Sequence, residues 1–263
     1  MIILTAGGSF AQTYLNQFDA EVASIRELGE AKFVEKIRKA KSLIHNAATI
    51  ECNDLDQCLV RNFDFTRNLV NQAQAVNPGL HLIFLSSMSI LDPSNSKAYG
   101  DVLGMTAYAY SKYLAEIFCL KSELKNVSCV RFSTLFYRDH KKDGLSKLAS
   151  DAVTTGKITI FNQGEARRNF LPLRIAAQYI SKLTEQHKPG KRVYTLASAQ
   201  STSFADIASL LQKHIPGLEV QDEEIPAAPP VLSEFSTDSI DELGRIKFSL
   251  EEEIAEYIKS LRS

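Results

Sequence analysis

Tyr108 and Lys112 stand four residues apart in Tyr108-Ala109-Tyr110-Ser111-Lys112, the spacing of one helical turn. A tyrosine hydroxyl titrates near pH 10 and is a poor acid or base at neutrality, but a cation one turn away favours the phenolate and suits it to proton transfer. The pair alone is a weak signal, because a chain with 9 tyrosines and 30 basic residues produces such spacings by chance. A second hydroxyl source is Leu82-Ile83-Phe84-Leu85-Ser86-Ser87, an apolar strand ending in two serines. Open α/β sheets present ligand-facing groups at the carboxyl ends of their strands. Ser87 could therefore bind a substrate oxygen beside Tyr108, although an ordinary strand-ending turn would use the same residues. The opening segment Ile2-Ile3-Leu4-Thr5-Ala6-Gly7-Gly8-Ser9-Phe10 reads as strand, small-residue turn and helix. In that arrangement backbone N–H groups and a helix N-terminus receive a pyrophosphate. Ile44-His45-Asn46-Ala47-Ala48 is a further strand ending in small residues, suited to a flat ligand or to tight helix–strand packing.

Regular elements must hold these residues. Short aliphatic runs predict strands at Ile2 to Thr5, Val22 to Ile25, Ser42 to His45, His81 to Leu85, Val127 to Arg131 and Arg192 to Leu196. Helix-period segments fill the gaps, the pattern of an α/β protein whose parallel sheet carries helices on both faces. From Leu55 to Val76, apolar residues recur at three- and four-residue steps and place Asn62 on the buried stripe. A helix from Thr106 to Leu124 would carry Tyr108 and Lys112. After Arg131 the pattern is less regular, with turn-rich stretches at Arg138 to Gly144 and Phe161 to Arg168 and a proline-rich run at Ile225 to Pro230. A final helix, Leu250 to Leu261, has glutamates in its first turn and basic residues in its last, which complements the helix dipole.

Composition narrows the function classes. The 263 residues are 44% hydrophobic and 23% charged with a net charge of -1, so there is no basic surplus to drive nucleic-acid binding. No apolar run reaches membrane-spanning length, and the chain opens on Met1-Ile2-Ile3-Leu4-Thr5 without a charged leader; the expectation is a cytoplasmic protein without a membrane partner. Cys52, Cys58, Cys119 and Cys129 form no CxxC or His-linked pattern, which predicts reduced, packed thiols and no metal site.

Taken in order, these segments resemble the extended short-chain dehydrogenases/reductases, in particular the NAD-dependent epimerase/dehydratase group that modifies nucleotide sugars. The resemblance runs from the opening turn through His45-Asn46-Ala47-Ala48, Asn62 to Leu69, Ser86-Ser87, Tyr108 to Lys112, Val130 to Thr134, Gly164 to Phe170, Tyr194 to Ala197 and Leu243-Gly244. It implies a Rossmann-like doubly wound parallel sheet, one strand-helix unit shorter than usual because Ile25 to Leu43 has room only for a helix at Glu30 to Ala40. Residues 1–134 and 170–198 would form the dinucleotide-binding part, and 135–169 and 199–263 a small substrate-binding cap. Tyr108 would be the acid/base, Lys112 would lower its pKa and hold the nicotinamide ribose, and Ser87 would bind the reacting oxygen. Cofactor contacts would come from Gly7, Gly8, Ser9, Phe10, Arg26, Asn46, Ala47, Ala48, Asn62, Tyr108 and Lys112, with Asn62 also fixing its helix beside the site. Thr134, where the family usually has asparagine, and Arg168, facing a substrate diphosphate, would complete the site. Arg26 favours NADP over NAD, tempered by Glu27 beside it. A homodimer through the Leu55 to Val76 and Thr106 to Leu124 helices is also implied.

The chain departs from the family in its turn, where Ala6, Ser9 and Gln12 occupy the usual glycine positions. Arg174-Ile175 replaces an acidic pair that would cap a helix. Met88-Ser89 follow Ser87 where dehydratases carry an acidic pair, which disfavours water elimination. A weakened pyrophosphate turn suits a cofactor exchanged at each turnover. The expected activity is therefore an NAD(P)H-dependent reductase of a 4-keto nucleotide sugar. The rivals are a 4-epimerase with tightly held NAD and a non-catalytic member that senses a dinucleotide or binds a partner.

Overall fold

The computed structural model describes residues 1–263 except 6, 47, 51, 53, 138–142, 187, 227–233 and 263. Its centre is a six-stranded parallel sheet: β1 (Ile2–Thr5), β2 (Glu21–Ala23), β3 (Ser42–His45), β4 (His81–Ser87), β5 (Asn126–Phe132) and β6 (Lys191–Leu196), in the spatial order β2-β1-β3-β4-β5-β6. The order reverses between β1 and β3, and a crevice for ligands opens beyond the strand ends at such a switch point.

Alternation along the strands explains why both faces are covered. Ile3, Leu43, Leu82, Phe84 and Cys129 face one hydrophobic cluster, while Leu4, Ile44, Ile83, Leu85 and Val130 face the other. The first cluster is closed by α2 (Ala31–Lys39), by the helical run 55–76 and by α4 (Ala107–Lys121). Calling the run 55–76 α3, the second face is closed by α1 (Gly8–Leu15) and by the helix Leu173–Glu185. A third cluster gathers Leu145 and Leu148, Ile158, Ile207 and Leu211, and Ile254 and Tyr257. Its elements are α5 (Gly144–Thr155), a strand Lys157–Phe161, and the helices Phe204–His214 and Leu250–Arg262. The short helix Asp238–Glu242 returns to the sheet, where Ile240 and Leu243 join the cluster of α1.

All six expected strands occur. The second lies at Glu21–Ala23, and Ile25–Glu27 forms a 3-10 turn that carries Arg26. The acidic residues opening the last helix do more than meet its dipole, because Glu251 pairs with Lys213 and Glu253 with Arg174. The helix Leu173–Glu185 starts at Pro172 without a side-chain cap, as the Arg174-Ile175 replacement suggested.

Two features depart from expectation. α3 is not uniform: Leu55–Cys58 and Phe65–Val76 are α-helical, but Leu59–Asp64 between them is a π-helix. The reading of all four cysteines as reduced thiols is corrected, because Cys52 and Cys58 form a disulfide with Cα atoms 5.2 Å apart. The turn into α3 brings together two cysteines whose spacing matches no recognised motif. Cys119 and Cys129 are free and buried.

Candidate active site

The carboxyl end of β4 and the first turns of α4 meet at Ser87 and Tyr108. Strand β4 runs two residues past the expected Leu85, so Ser87 is its last residue. Its hydroxyl accepts from the Ser89 N–H at 3.2 Å, capping a 3-10 turn, and lies 2.9 Å from the Ser89 hydroxyl. Helix α4 is capped by Thr106, whose side chain accepts from the Ala109 N–H. That cap orients Tyr108, which is half-buried and hydrogen-bonded to Ser87. Burial pushes the Tyr108 hydroxyl above its ordinary value of 10.0, and the bond to Ser87 opposes that rise.

Lys112 follows one turn later with 2% of its surface exposed. Its ammonium donates to the Leu85 carbonyl at 2.6 Å and lies 4.1 Å from the centre of the Phe84 ring. Burial lowers its pKa to about 8, leaving it mostly protonated at neutrality. The expected lowering of the Tyr108 pKa by Lys112 is not what this arrangement produces. The ammonium is directed at Leu85 and Phe84, and desolvation of the phenol dominates.

Asn62, 2% exposed, joins three segments. Its Oδ1 accepts from the Thr49 N–H at 2.8 Å, and its Nδ2 donates to the Thr49 carbonyl and to the Ser111 hydroxyl, both at 3.0 Å. Ser111 in turn donates to the Tyr108 carbonyl at 2.8 Å. The loop after β3, helix α3 and the turn carrying Tyr108 are thus coupled through one buried amide. Beneath them His45 is enclosed between Thr5, at 3.3 Å, and Thr66, at 2.9 Å. Desolvation, assisted by the nearby Lys112 charge, drops its pKa to about 3 and keeps it neutral.

At the switch point, Gly7 and Gly8 adopt φ of 136° and 69°, values that L side chains rarely accept. A Cβ on either would meet nothing within 4 Å and would stand in open space. Asn46 ties the two turns together by donating to the Gly7 carbonyl at 2.8 Å. Gly7, Gly8, Ser9, Phe10, Asn46, Ala48, Tyr108 and Lys112 all line one cleft of about 460 Å³. Its described charged lining residues are Arg61 and Lys112, with no carboxylate among them. Ser86, 6% exposed, also lines it, and the Ser86 hydroxyl has no hydrogen-bond partner. Two cations, an unpaired buried hydroxyl and glycine backbone in open space fit a polyanionic, hydrogen-bonding ligand of dinucleotide size.

The remaining predicted residues lie apart from this lining. Ser87 is hydrogen-bonded to the lining residue Tyr108, and Asn62 is buried in the bonds to Thr49 and Ser111. Arg26 is exposed on its 3-10 turn. Thr134 opens a short strand paired with Phe170, and its N–H donates to the Asn169 carbonyl. Arg168 is half-buried on a two-residue strand paired with Thr202, and burial lowers its pKa. Ala47, and Ala6 at the first glycine position, fall outside the described residues. Sequence reasoning missed Arg61, Phe65 and Ser86. Ser86 was visible as the first of two strand-ending hydroxyls, whereas Arg61 reads as an ordinary polar helix position. Among the described residues, no three His, Cys, Asp or Glu side chains group to hold a metal ion.

The profile of the NAD dependent epimerase/dehydratase family matches residues 23–197. The chain belongs to that family. Its fold is shared with solved structures. One is MoeE5 in complex with UDP-glucuronic acid and NAD: 17% identity, 99% of this chain and 98% of that one covered, TM-score 0.81. Another is RMD from Pseudomonas aeruginosa complexed with NADPH: 16% identity, 99% and 98% covered, TM-score 0.79. A third is UDP-N-acetylglucosamine 4-epimerase from Bacillus cereus: 15% identity, 99% and 96% covered, TM-score 0.77. No curated protein sequence matches the chain. As an epimerase/dehydratase family member the chain is unusual at its turn, and the structure shows how one substitution is accommodated. Gln12 points outward from α1, and Phe10, Ala11 and Tyr14 make the contact with the sheet.

Proposed function

We propose that the protein is an NAD(P)H-dependent reductase of a 4-keto nucleotide sugar. The observation that carries this reading is the hydrogen bond between Tyr108 and Ser87, which sets the Tyr108 hydroxyl on the cleft wall one helical turn before Lys112. Burial keeps the phenol protonated at neutral pH and makes it a weaker acid, so its proton leaves only as negative charge develops on the reacting oxygen. A reduced nicotinamide held in the cleft beside Tyr108 and Lys112 would supply a hydride to the carbonyl carbon. Ser87 orients the carbonyl oxygen, Tyr108 donates its proton to the oxygen as the C–H bond forms, and water returns the proton to the phenolate. Lys112 keeps a cation at the reacting end, favouring charge build-up on the phenol in the transition state. The fold-sharing proteins whose structures contain NAD, NADPH or UDP-linked sugars support a dinucleotide and a nucleotide-sugar substrate.

Several finer assignments belong to the same proposal. Arg26, exposed just beyond β2, favours NADP over NAD. Arg168 and Thr134 belong to the substrate side, within a cap of 135–169 and 199–263, with cofactor binding in 1–134 and 170–198. A homodimer is proposed through α3 and α4, with Leu55 and Val60 among the apolar side chains α3 exposes. No described helix is long and apolar enough to cross a membrane.

The test is turnover of NADPH or NADH with 4-keto nucleotide sugars, followed by absorbance, after recording any dinucleotide that co-purifies. Consumption that Tyr108→Phe abolishes supports the reductase. Tightly retained NAD with no net consumption would identify an epimerase instead. A folded protein that binds no oxidised or reduced dinucleotide would be a non-catalytic family member.

A further inference from the structure

We infer that Arg61 is the residue that grips the diphosphate of the bound dinucleotide, supplying by charge what the glycine-poor turn supplies less well by close backbone approach. The inference rests on the dinucleotide reading above and adds to it a residue that no glycine motif contains. In α3 the π-segment Leu59–Asp64 holds Arg61 and Asn62 side by side. Asn62 is buried in the bonds to Thr49 and Ser111, whereas Arg61, together with Phe65 one turn on, forms part of the cleft wall. π-turns are rare and concentrate at functional sites. Here the wide turn presents one residue to a structural network and its neighbour to the cleft.

Charge placement separates the two cations of the cleft. Lys112 is committed to the reacting end, because its ammonium bonds the Leu85 carbonyl and the residue lies one turn from Tyr108. Arg61 shares the same cleft with Gly7, Gly8 and Ser9, at the start of an α1 that has no acidic residue in its first turn. The N-terminal partial charge of α1 and the Arg61 guanidinium thus have the same sign, in a cleft whose described lining includes no carboxylate. A guanidinium binds phosphate oxygens through paired N–H donors and stays charged at every working pH. Its contribution does not depend on the turn approaching the ligand closely, so a turn with Ser9 in place of glycine can still hold an anion.

Titration of the full-length protein with NADPH, ADP-ribose and UDP, at low and high salt, tests the assignment. Arg61→Gln should weaken ADP-ribose and NADPH by about tenfold to a hundredfold, with Arg61→Lys intermediate. The salt dependence of wild-type ADP-ribose binding should flatten in Arg61→Gln, because one ionic contact is gone. UDP binding should be unchanged. Equal ADP-ribose affinity in wild type and Arg61→Gln would overturn the inference while leaving the dinucleotide reading intact. A weakened affinity with an unchanged salt slope, which marks a structural loss, would overturn it too, as would weakening confined to UDP. If wild type binds no dinucleotide at all, the reading and the inference fail together. Should Arg61→Gln not fold, Arg61→Lys and the wild-type salt slope carry the test, and a wild-type affinity insensitive to salt would overturn it.

Discussion

The two walls of the cleft are built on different principles. The wall of β4, α3 and α4 is buried and cross-bonded: Lys112 to Leu85, Asn62 to Thr49 and Ser111, His45 to Thr5 and Thr66. The facing turn presents exposed backbone at Gly7 and Gly8, restrained by the Asn46 bond to the Gly7 carbonyl. Groups that must hold a proton at a fixed place need a satisfied, low-dielectric surround, and the first wall supplies one. An anion can be held at longer range, so the proposed anion-binding role would let the second wall carry altered residues provided positive charge faces it. Substitutions in the glycine turn therefore tell little about the wall that carries Ser87, Tyr108 and Lys112.

The largest effect should come from the chemistry. Tyr108→Phe removes the proton donor but keeps the ring, and reductive turnover should fall by about 10²- to 10⁴-fold while NADPH affinity stays near wild type. Turnover that survives would break the assignment of the buried wall as the acid–base wall.

His45 should make the stability of that wall dependent on pH. Its folded pKa of about 3 lies below its ordinary 6.5, so between those values the unfolded chain takes a proton that the folded protein refuses. Stability is complete above about pH 6.5 and falls as pH drops, by about 1.4 kcal/mol per unit from this group. Urea midpoints measured from pH 7 to pH 4 should show a steeper decline for wild type than for His45→Gln. Parallel declines would show that His45 does not stay neutral.

Asn62→Ala leaves the backbone groups of Thr49 and the Ser111 hydroxyl without their buried partner. A loss of about 2–3 kcal/mol is expected, read as a lower melting temperature. The loss of coupling to Tyr108 should also reduce kcat. The mildest effect should follow reduction of the Cys52–Cys58 bridge, which closes a short loop and is worth about 2 kcal/mol. Dithiothreitol should lower the melting temperature of wild type by a few degrees and leave Cys58→Ser unchanged. A larger shift in ligand affinity than in stability would mean that the bridge holds the Thr49–Ile50 edge of the cleft.

The strands were readable because each is a short aliphatic run, and in a parallel sheet both faces need apolar cover. Tyr108, Lys112 and Ser87 could be singled out because one helical turn and one strand end are local geometry. Asn62 was placed correctly on the buried side of α3, since Leu69, Ala73 and Val76 follow it at helical spacing, whereas Leu55, counted in the same repeat, is exposed at the helix start. That repeat averages over the chain and does not reveal the π-turn at Leu59–Asp64, so nothing in it singles out Arg61. The disulfide was equally hidden, because Cys52 and Cys58 meet only through the shape of the loop entering α3.

The order and type of residues along the chain thus determined the parallel α/β architecture, the grouping of Ser87, Tyr108 and Lys112 as candidates, and the loss of the glycine pattern. Each depends on local spacing or on the alternation that burial imposes. Tertiary structure alone decided where Lys112 points, how far burial moves Tyr108, Lys112 and His45 from their ordinary pKa values, and which cations share the cleft with the glycine turn. Desolvation and charge proximity depend on segments far apart in sequence, and only the packed fold brings those segments within range of one another.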